Sequence, residues 1–191
     1  MNFFKRPNAL EIQSMALGAL GFSVASLAVF GSWAFVGRWM YAQLSELGAY
    51  LVWALMFVLI AGATLKRLAS GNRSFGKFYG IFAAAFLLYA VGWTAVWFPL
   101  RNRAGEWLAS LTGTILMALV FLRAFAAWPK SFDVMTTLFL THSLGYFVGG
   151  FLYASIGGKP GMLLWGLAYG LGFGAGIGRA LFLCQIQPQT G

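Results

Sequence analysis

A single histidine, His142, is the side chain of this sequence best suited to acid–base chemistry near neutral pH. It lies in a long apolar stretch, with Thr136, Thr137, Thr141 and Ser143 close by. An ionisable residue within such a stretch usually marks a functional site, since it could relay protons, ligate a haem or bind a substrate. The alternative is a neutral imidazole that hydrogen-bonds a neighbouring helix. Both interpretations predict a ring buried inside a helix bundle, with a hydroxyl or backbone carbonyl on span one, four or six as its partner.

Few other residues offer conventional catalytic chemistry. One histidine cannot supply both axial ligands of a haem, and the one cysteine, Cys184, can form neither an intramolecular disulfide nor a zinc site. The four acidic residues are too dispersed to predict a metal cluster. There is no GxSxG motif and no lysine in the middle of an apolar run. The sequence therefore favours a non-enzymatic protein and assigns no cofactor.

Two arginines near helix ends form the other polar candidate. Arg123 and Arg179 lie near the ends of predicted spans, and Asp133 lies at a similar depth. Long basic side chains readily extend to lipid headgroups, which is the simpler interpretation. The functional alternative is a basic pocket for an anionic lipid or an anionic substrate.

The composition identifies the environment of these residues. Apolar residues make up 60% of the chain and charged residues 9%, with a mean hydropathy of +0.78. Soluble domains carry about 25% charged residues. We therefore predict an all-α integral membrane protein with a single transmembrane domain over residues 1–191, in a bacterial inner (cytoplasmic) membrane. The apolar run after Lys5 and Arg6 is too long for a signal peptide and is interpreted as a retained first helix.

The apolar runs predict a bundle of six transmembrane helices, since about 20 apolar residues cross a bilayer. Asn8 and Glu11 have the spacing of a helix N-cap and its partner at the start of the first helix. Pro99 is expected to stop the third helix, and Trp128 with Pro129 the fourth. The predicted spans cover about residues 9–36, 47–65, 78–98, 107–127, 134–156 and 161–184.

The basic residues predict the orientation of the bundle. With the N-terminus inside, nine bases fall on inner segments and four on outer segments, which favours cytoplasmic termini. The loop with the Gly71-Asn72 turn contributes four of the inner bases. The net charge of +9 is thus explained by topology, and no nucleic-acid partner is predicted. The inner bases are Lys5, Arg6, Lys66, Arg67, Arg73, Lys77, Arg123, Lys130 and Arg179, and the outer bases are Arg38, Arg101, Arg103 and Lys159.

The tryptophans support the same register. Seven of the eight fall towards the predicted outer side, where an interfacial belt of aromatic rings is expected, and Trp128 falls at the inner edge. The seven are Trp33, Trp39, Trp53, Trp93, Trp97, Trp107 and Trp165.

Glycine spacing predicts how the helices pack. Small residues four apart let helix backbones approach closely in lipid, as in a glycine zipper. A partly unwound segment lining a pathway is the alternative, but a helix satisfies its own backbone groups. The last span has a stripe at Gly166, Gly170, Gly174 and Gly178 and an opposite stripe at Gly172 and Gly176. Its expected mates are Ser14, Gly18, Gly21 and Ala25 of span one and Gly145, Gly149 and Gly150 of span five, with spans two, three and four peripheral.

Three functions remain open. The first is a multi-pass subunit or scaffold that acts by packing against other membrane subunits or further copies of itself. The second is a small transporter or channel, with His142 and the Gly166–Gly178 helix lining its path. The third is a membrane enzyme acting on a lipid or a quinone, with His142 working beside Arg123 or Arg179. A charged, water-filled cavity lined by His142 would favour the second, and a lateral lipid-facing cleft containing His142 and an arginine would favour the third. A dry core with an exposed glycine or aromatic face would favour the first.

Overall fold

The computed structural model describes residues 7–68 and 75–186, and these residues are helical apart from short connections, with no strand among them. The predicted all-α class is therefore confirmed. Four segments are long and apolar enough to cross a membrane: Leu10–Leu65, Gly76–Leu100, Arg103–Phe125 and Gly158–Gln185. The helices are α1 (Pro7–Leu65), α2 (Phe75–Leu100), α3 (Arg103–Phe125), α4 (Ser131–Ile156) and α5 (Gly158–Gln185), with 3₁₀ turns at Lys66–Leu68 and Trp128–Lys130.

The long helix α1 is broken at Ser45, whose φ of 61° and ψ of 175° are not helical. The break divides α1 into a first arm (residues 7–44) and a second arm (residues 46–65). The arms pack antiparallel, because Thr64 donates a hydrogen bond to the carbonyl of Gly21 near one end and Trp53 donates one to Ser32 near the other. The first arm is longer than the predicted span, since the helix continues past Val36 instead of ending there.

Several expectations fall on residues outside the described ranges. Lys5, Arg6, Arg73 and the Gly71-Asn72 turn are among them, and so is the side chain of Asn8, the expected N-cap. Within the described part, the side chain of Glu11 is bonded to Arg179 of α5.

The helix ends have identifiable local causes. The Asn102 side chain accepts a 2.8 Å hydrogen bond from the backbone N–H of Gly105 and so caps the start of α3. Ala126, in the left-handed region with φ 53°, ends that helix. Gly157 and Gly158 have φ values of 70° and 58°, which glycine adopts without strain, and they form the tight turn into α5. Pro99 lies inside α2, which ends after Leu100, so the proline does not stop the helix where predicted.

Helix α5 lies between the first arm of α1 and α4. A side chain at Gly174 would meet the carbonyl of Gly18, while one at Gly145 would meet the backbone of Gly172. The aromatic core extends beyond these three elements, because the rings of Phe57 of the second arm and Phe86 of α2 are in contact, tilted, with their centroids 5.0 Å apart. Among the four apolar segments, α5 has the largest buried share and α2 the smallest, although the second arm and α2 also contribute side chains to the core.

Candidate functional site

His142 is fully buried at the centre of the bundle. Its Nε2 atom lies 2.6 Å from the hydroxyl of Tyr89, which in turn lies 2.9 Å from the hydroxyl of Tyr169. These two hydrogen bonds join α4, α2 and α5. The partner is a hydroxyl, as expected, but Tyr89 belongs to the third predicted span and not to the first, fourth or sixth.

The remaining surroundings of His142 are aromatic. Its ring contacts Phe173 edge-on at a centroid distance of 4.8 Å and stacks on Tyr146 at 5.9 Å. The other ring nitrogen, Nδ1, is buried and has no hydrogen-bond partner among the residues the structure describes. The imidazole is therefore anchored by one hydrogen bond and enclosed by rings.

A cavity of about 250 Å³ lies beside this network, at the tryptophan-rich end of the bundle. Tyr89, Tyr146 and Tyr169 form part of its wall and contact His142 on their other side. The remaining wall residues come from both arms of α1 and from α2, α3 and α5. They are Val29, Phe30, Trp33, Tyr50, Trp53, Ala54, Phe57, Phe86, Ala90, Trp93, Thr94, Trp97, Glu106 and Trp165.

This cavity, hereafter the aromatic pocket, has a wall that differs from the pathway expected from the sequence. His142 is not among its lining residues, although three of the lining tyrosines contact the imidazole. Helix α5 contributes Trp165 and Tyr169 to the wall, whereas the neighbouring Gly166 and Gly170 face the first arm of α1. None of the α5 glycines lines this pocket.

Glu106 is the one carboxylate among the described residues that line the aromatic pocket. It lies in the first turn of α3, where a negative charge is favourable, and pairs with Arg103 at 3.7 Å. The hydroxyl of Tyr146 donates a long hydrogen bond of 3.4 Å to its other oxygen. This carboxylate already has a positive and a neutral partner.

The tryptophans of the pocket differ in their hydrogen bonding. The indole N–H of Trp53 donates to the hydroxyl of Ser32 at 3.0 Å. The indole nitrogens of Trp93 and Trp165 are buried and have no acceptor in the described part of the chain. The pocket wall therefore contains two buried donors without a described acceptor.

The seven tryptophans expected on the outer side differ in exposure. Trp39 and Trp107 are exposed. The other five, Trp33, Trp53, Trp93, Trp97 and Trp165, line the aromatic pocket.

The two glycine stripes of α5 face different helices. A side chain at Gly178 would meet the Ser14 carbonyl, and one at Gly166 would meet Phe30, both in the first arm of α1. On the opposite stripe, a side chain at Gly176 would meet Thr141 of α4. Gly21 contacts Thr64 and Leu65 of the second arm rather than α5, so it belongs to a different interface.

The candidate charged residues lie in separate places. Arg179 donates hydrogen bonds of 2.7 Å to Glu11 and to Thr137, which join α5 to α1 and α4. Arg123 is exposed and lines a groove between α2 and α3, and Asp133 is exposed in the first turn of α4. Within residues 7–68 and 75–186, no hydrogen bond or ring contact joins His142 to either arginine.

Sequence reasoning did not identify Tyr89, Tyr146 and Tyr169 as site residues. A signal was present, because residues four apart share a helix face. His142 and Tyr146 have this spacing, and so do Tyr89 with Trp93 and Trp165 with Tyr169. Each pair is an aromatic stripe that faces the bundle interior.

Comparison of the chain with models of known protein families, with curated proteins and with solved structures finds no match. The fold and the four apolar helices indicate an integral membrane protein.

Proposed function

We propose that this chain is a membrane protein of six transmembrane spans with cytoplasmic termini, and that it binds a small apolar molecule in the aromatic pocket. The observation that carries the proposal is the partly open pocket of about 250 Å³ at the tryptophan-rich end of the bundle. A cavity of this size, walled by aromatic rings and a few polar groups, has the composition of a small-molecule site.

The count of six spans is supported by the break at Ser45 and by the length of α4. The break leaves two helical arms that lie side by side; the second arm has about the length needed to cross a bilayer, and the first is longer. Helix α4, with 26 residues, is equally long. Cytoplasmic termini are supported by the distribution of the bases between alternate connections.

Binding can be tested by filling the pocket. Ala54→Trp places an indole in the cavity wall, while Ala63→Trp makes the same change at an exposed position on the same arm. After mild detergent extraction, native mass spectrometry should detect a small molecule bound to the wild type and to Ala63→Trp but not to Ala54→Trp. Equal occupancy in the two variants would contradict the pocket proposal.

Transport requires a separate measurement. The extracted small molecule would be offered to sealed proteoliposomes that contain the wild type or Ala54→Trp. Uptake by the wild type and none by the variant would identify a small transporter, whereas binding without uptake would leave a binding protein and exclude the transporter.

A second candidate is the subunit or scaffold that acts by packing. The observation that favours it is an open groove between α2 and α3, where side chains at Gly76 and Gly80 would meet nothing within 4 Å. A smooth glycine face of this kind suits another helix. Ala84→Trp would obstruct the groove. If a further subunit or copy docks there, this variant is expected to form a smaller assembly in native gels.

We also interpret the α5 stripes as glycine zippers within the chain.

Anionic lipid is proposed as a partner at Arg123 and Arg179. Arg123 is exposed beside the groove, and Arg179 lies near the end of α5 with its side chain partly accessible. The purified protein is expected to retain anionic phospholipid, and Arg123→Gln is expected to retain less.

A further inference from the structure

Helices α2 and α3 are in close contact at one end and leave a groove at the other. A side chain at Gly113 of α3 would lie 2.9 Å from the carbonyl oxygen of Tyr89 of α2. Towards the start of α2, side chains at Gly76 and Gly80 would instead meet nothing within 4 Å. The groove there, hereafter the α2–α3 groove, has a volume of about 760 Å³ and is lined mostly by small and aliphatic residues. It is open to the surface of the bundle and hence, in a membrane, to lipid.

One end of the α2–α3 groove is positively charged. Lys77 in the first turn of α2 and Arg123 in the last turn of α3 both line it and are exposed. Trp128 lies beside them, and tryptophan rings are enriched at the depth of lipid headgroups. Among the described residues, no acidic side chain lines the groove, and its other end at Leu88 and Leu116 is apolar. A ligand that matches this surface combines an anionic group with a hydrocarbon chain.

The apolar part of the groove has the length of one membrane leaflet. Along α2 the groove extends from Lys77 to Leu88, a distance of about 17 Å at the rise of an α-helix. The hydrocarbon core of a bilayer is about 30 Å thick, so one leaflet contributes about 15 Å. The distribution of bases predicts that the Lys77 end lies on the cytoplasmic side, where anionic lipids are attracted to basic residues. A phosphate at this end would therefore place its acyl chain along the groove.

We infer that the α2–α3 groove binds one anionic phospholipid of the cytoplasmic leaflet, with an acyl chain along the groove and the phosphate at Lys77 and Arg123. This inference rests on the proposed anionic-lipid partner and adds the position of the chain and a second base. Arg179 lies outside the groove, and its guanidinium already donates hydrogen bonds to Glu11 and Thr137.

A second copy of this chain suits the groove less well than a lipid does. The chain has a net charge of +9 and only four acidic residues. Three of the four, Glu11, Glu46 and Glu106, already form ion pairs with arginines of the same chain. A docked copy would therefore bring mostly positive charge to a basic surface, whereas a phospholipid supplies the phosphate and the hydrocarbon in one molecule.

The test offers the full chain two lipids that have the same acyl chains and differ in charge. Dioleoylphosphatidylglycerol is anionic, and dioleoylphosphatidylcholine has no net charge. The protein is delipidated in detergent and mixed with equal amounts of both lipids, and native mass spectrometry counts the lipid molecules that remain bound. The wild type is expected to retain one phosphatidylglycerol in preference to phosphatidylcholine.

The charge of the groove is tested with three glutamine variants. Lys77→Gln and Arg123→Gln should each weaken the preference for phosphatidylglycerol by about fivefold, which is the effect of one base close to an anionic headgroup. Lys130→Gln is the matched control, since Lys130 is exposed and predicted to lie on the same side of the membrane but does not line the groove. It should leave the preference nearly unchanged.

The position of the acyl chain is tested by filling the groove without changing its charge. Ala84→Trp places an indole in the groove and should abolish the preferential retention of phosphatidylglycerol, while Ala63→Trp makes the same change at an exposed position outside it. Gly80→Leu gives the same test with a smaller side chain, for which the structure leaves space. Thermal melting of each variant confirms that the fold is retained.

Other outcomes separate the inference from the proposed lipid partner. Unchanged retention of phosphatidylglycerol by Ala84→Trp and Gly80→Leu would overturn the inference and leave an anionic-lipid partner elsewhere on the surface, as would equal losses in all three glutamine variants. A smaller assembly of Ala84→Trp in native gels, with lipid retention unchanged, would assign the groove to another subunit. If the wild type retains both lipids equally, the inference and the proposed anionic-lipid partner both fail.

Discussion

The hydroxyl of Tyr89 and Nε2 of His142 lie 2.6 Å apart in the bundle interior, so a buried hydrogen bond connects α2 with α4. The same hydroxyl is bonded to Tyr169 of α5. One oxygen therefore satisfies polar groups on two other helices, in a region otherwise filled with aromatic rings. His142 is best understood as part of this network, which includes Tyr89 and Tyr169 of the aromatic pocket wall.

The first prediction concerns the coupling within this network. Tyr89→Phe leaves Nε2 of His142 and the Tyr169 hydroxyl without their shared partner, so a loss of about 1–3 kcal/mol in the free energy of unfolding is expected. His142→Phe should add less when introduced into Tyr89→Phe than into the wild type, because the shared bond is already absent, with a coupling of about 0.5–3 kcal/mol. Unfolding in mixed detergent micelles measures all three variants.

The control for this double-mutant cycle, in which Tyr89 and His142 are substituted singly and together, is Tyr153→Phe. The Tyr153 hydroxyl takes part in no hydrogen bond that the structure describes, and the side chain is partly exposed. A change within about 0.5 kcal/mol is expected. Additive effects of the Tyr89 and His142 substitutions would argue against the network.

If His142→Phe retains ligand binding, the imidazole has a structural role; if it abolishes binding while the fold persists, His142 has a functional one.

Much of the helical architecture could be predicted from the sequence because apolar length is a strong signal in lipid. The positions of the helices follow from the six apolar runs, and the burial of His142 follows from its two polar nitrogens. The first arm extends past its predicted end at about residue 36, since neither Gly37 nor Arg38 interrupts the helix.

The pocket could not be predicted in the same way. Its wall combines residues such as Trp33, Trp97 and Tyr146 from different helices, and their approach depends on how the helices rotate about their axes. Sequence periodicity gives the face of one helix but not its partner. Gly21 illustrates the point, since its spacing matches the α5 seam while its contacts are with Thr64 and Leu65.

The second prediction compares two serines on the first arm of α1 that face α5. The Ser26 hydroxyl donates a buried 2.6 Å hydrogen bond to the carbonyl of Gly166, whereas the Ser23 hydroxyl is buried without a described partner. Ser26→Ala should lower the free energy of unfolding by about 0.5–1.5 kcal/mol. Ser23→Ala should be neutral or stabilising, because it removes a polar group that has no described bond. Equal losses in detergent unfolding would show that the Ser23 hydroxyl does have a partner.

The third prediction concerns the topology around α4. Lys130 and Lys159 are exposed at opposite ends of this helix and are predicted to lie on opposite sides of the membrane. In a Cys184→Ala background, Lys159→Cys should react with an impermeant thiol reagent in intact cells, while Lys130→Cys should react only after permeabilisation. The reverse pattern would place the termini outside, and labelling of both sites in intact cells would mean that α4 does not cross the bilayer.

The fourth prediction tests a close backbone contact between α5 and the first arm of α1. A side chain at Gly174 would lie 2.5 Å from the carbonyl oxygen of Gly18 and 2.7 Å from Cβ of Phe22, so Gly174→Leu would force α5 away from the first arm of α1. Overpacking typically costs about 1–3 kcal/mol, and a contact with backbone cannot relax by rotating a side chain. Leu163→Ala, which truncates a half-buried side chain, should be milder.

The matched control is Gly80→Leu, the same substitution at a helical position where nothing lies within 4 Å. Leucine favours helix over glycine by about 0.5–1 kcal/mol, so this variant should be as stable as the wild type or more so. Detergent melting of Gly174→Leu, Gly80→Leu and Leu163→Ala would rank the three. Equal melting temperatures for the two leucine variants would mean that α5 does not pack its glycine stripe against the first arm, and the arrangement of helices around the aromatic pocket would have to be revised.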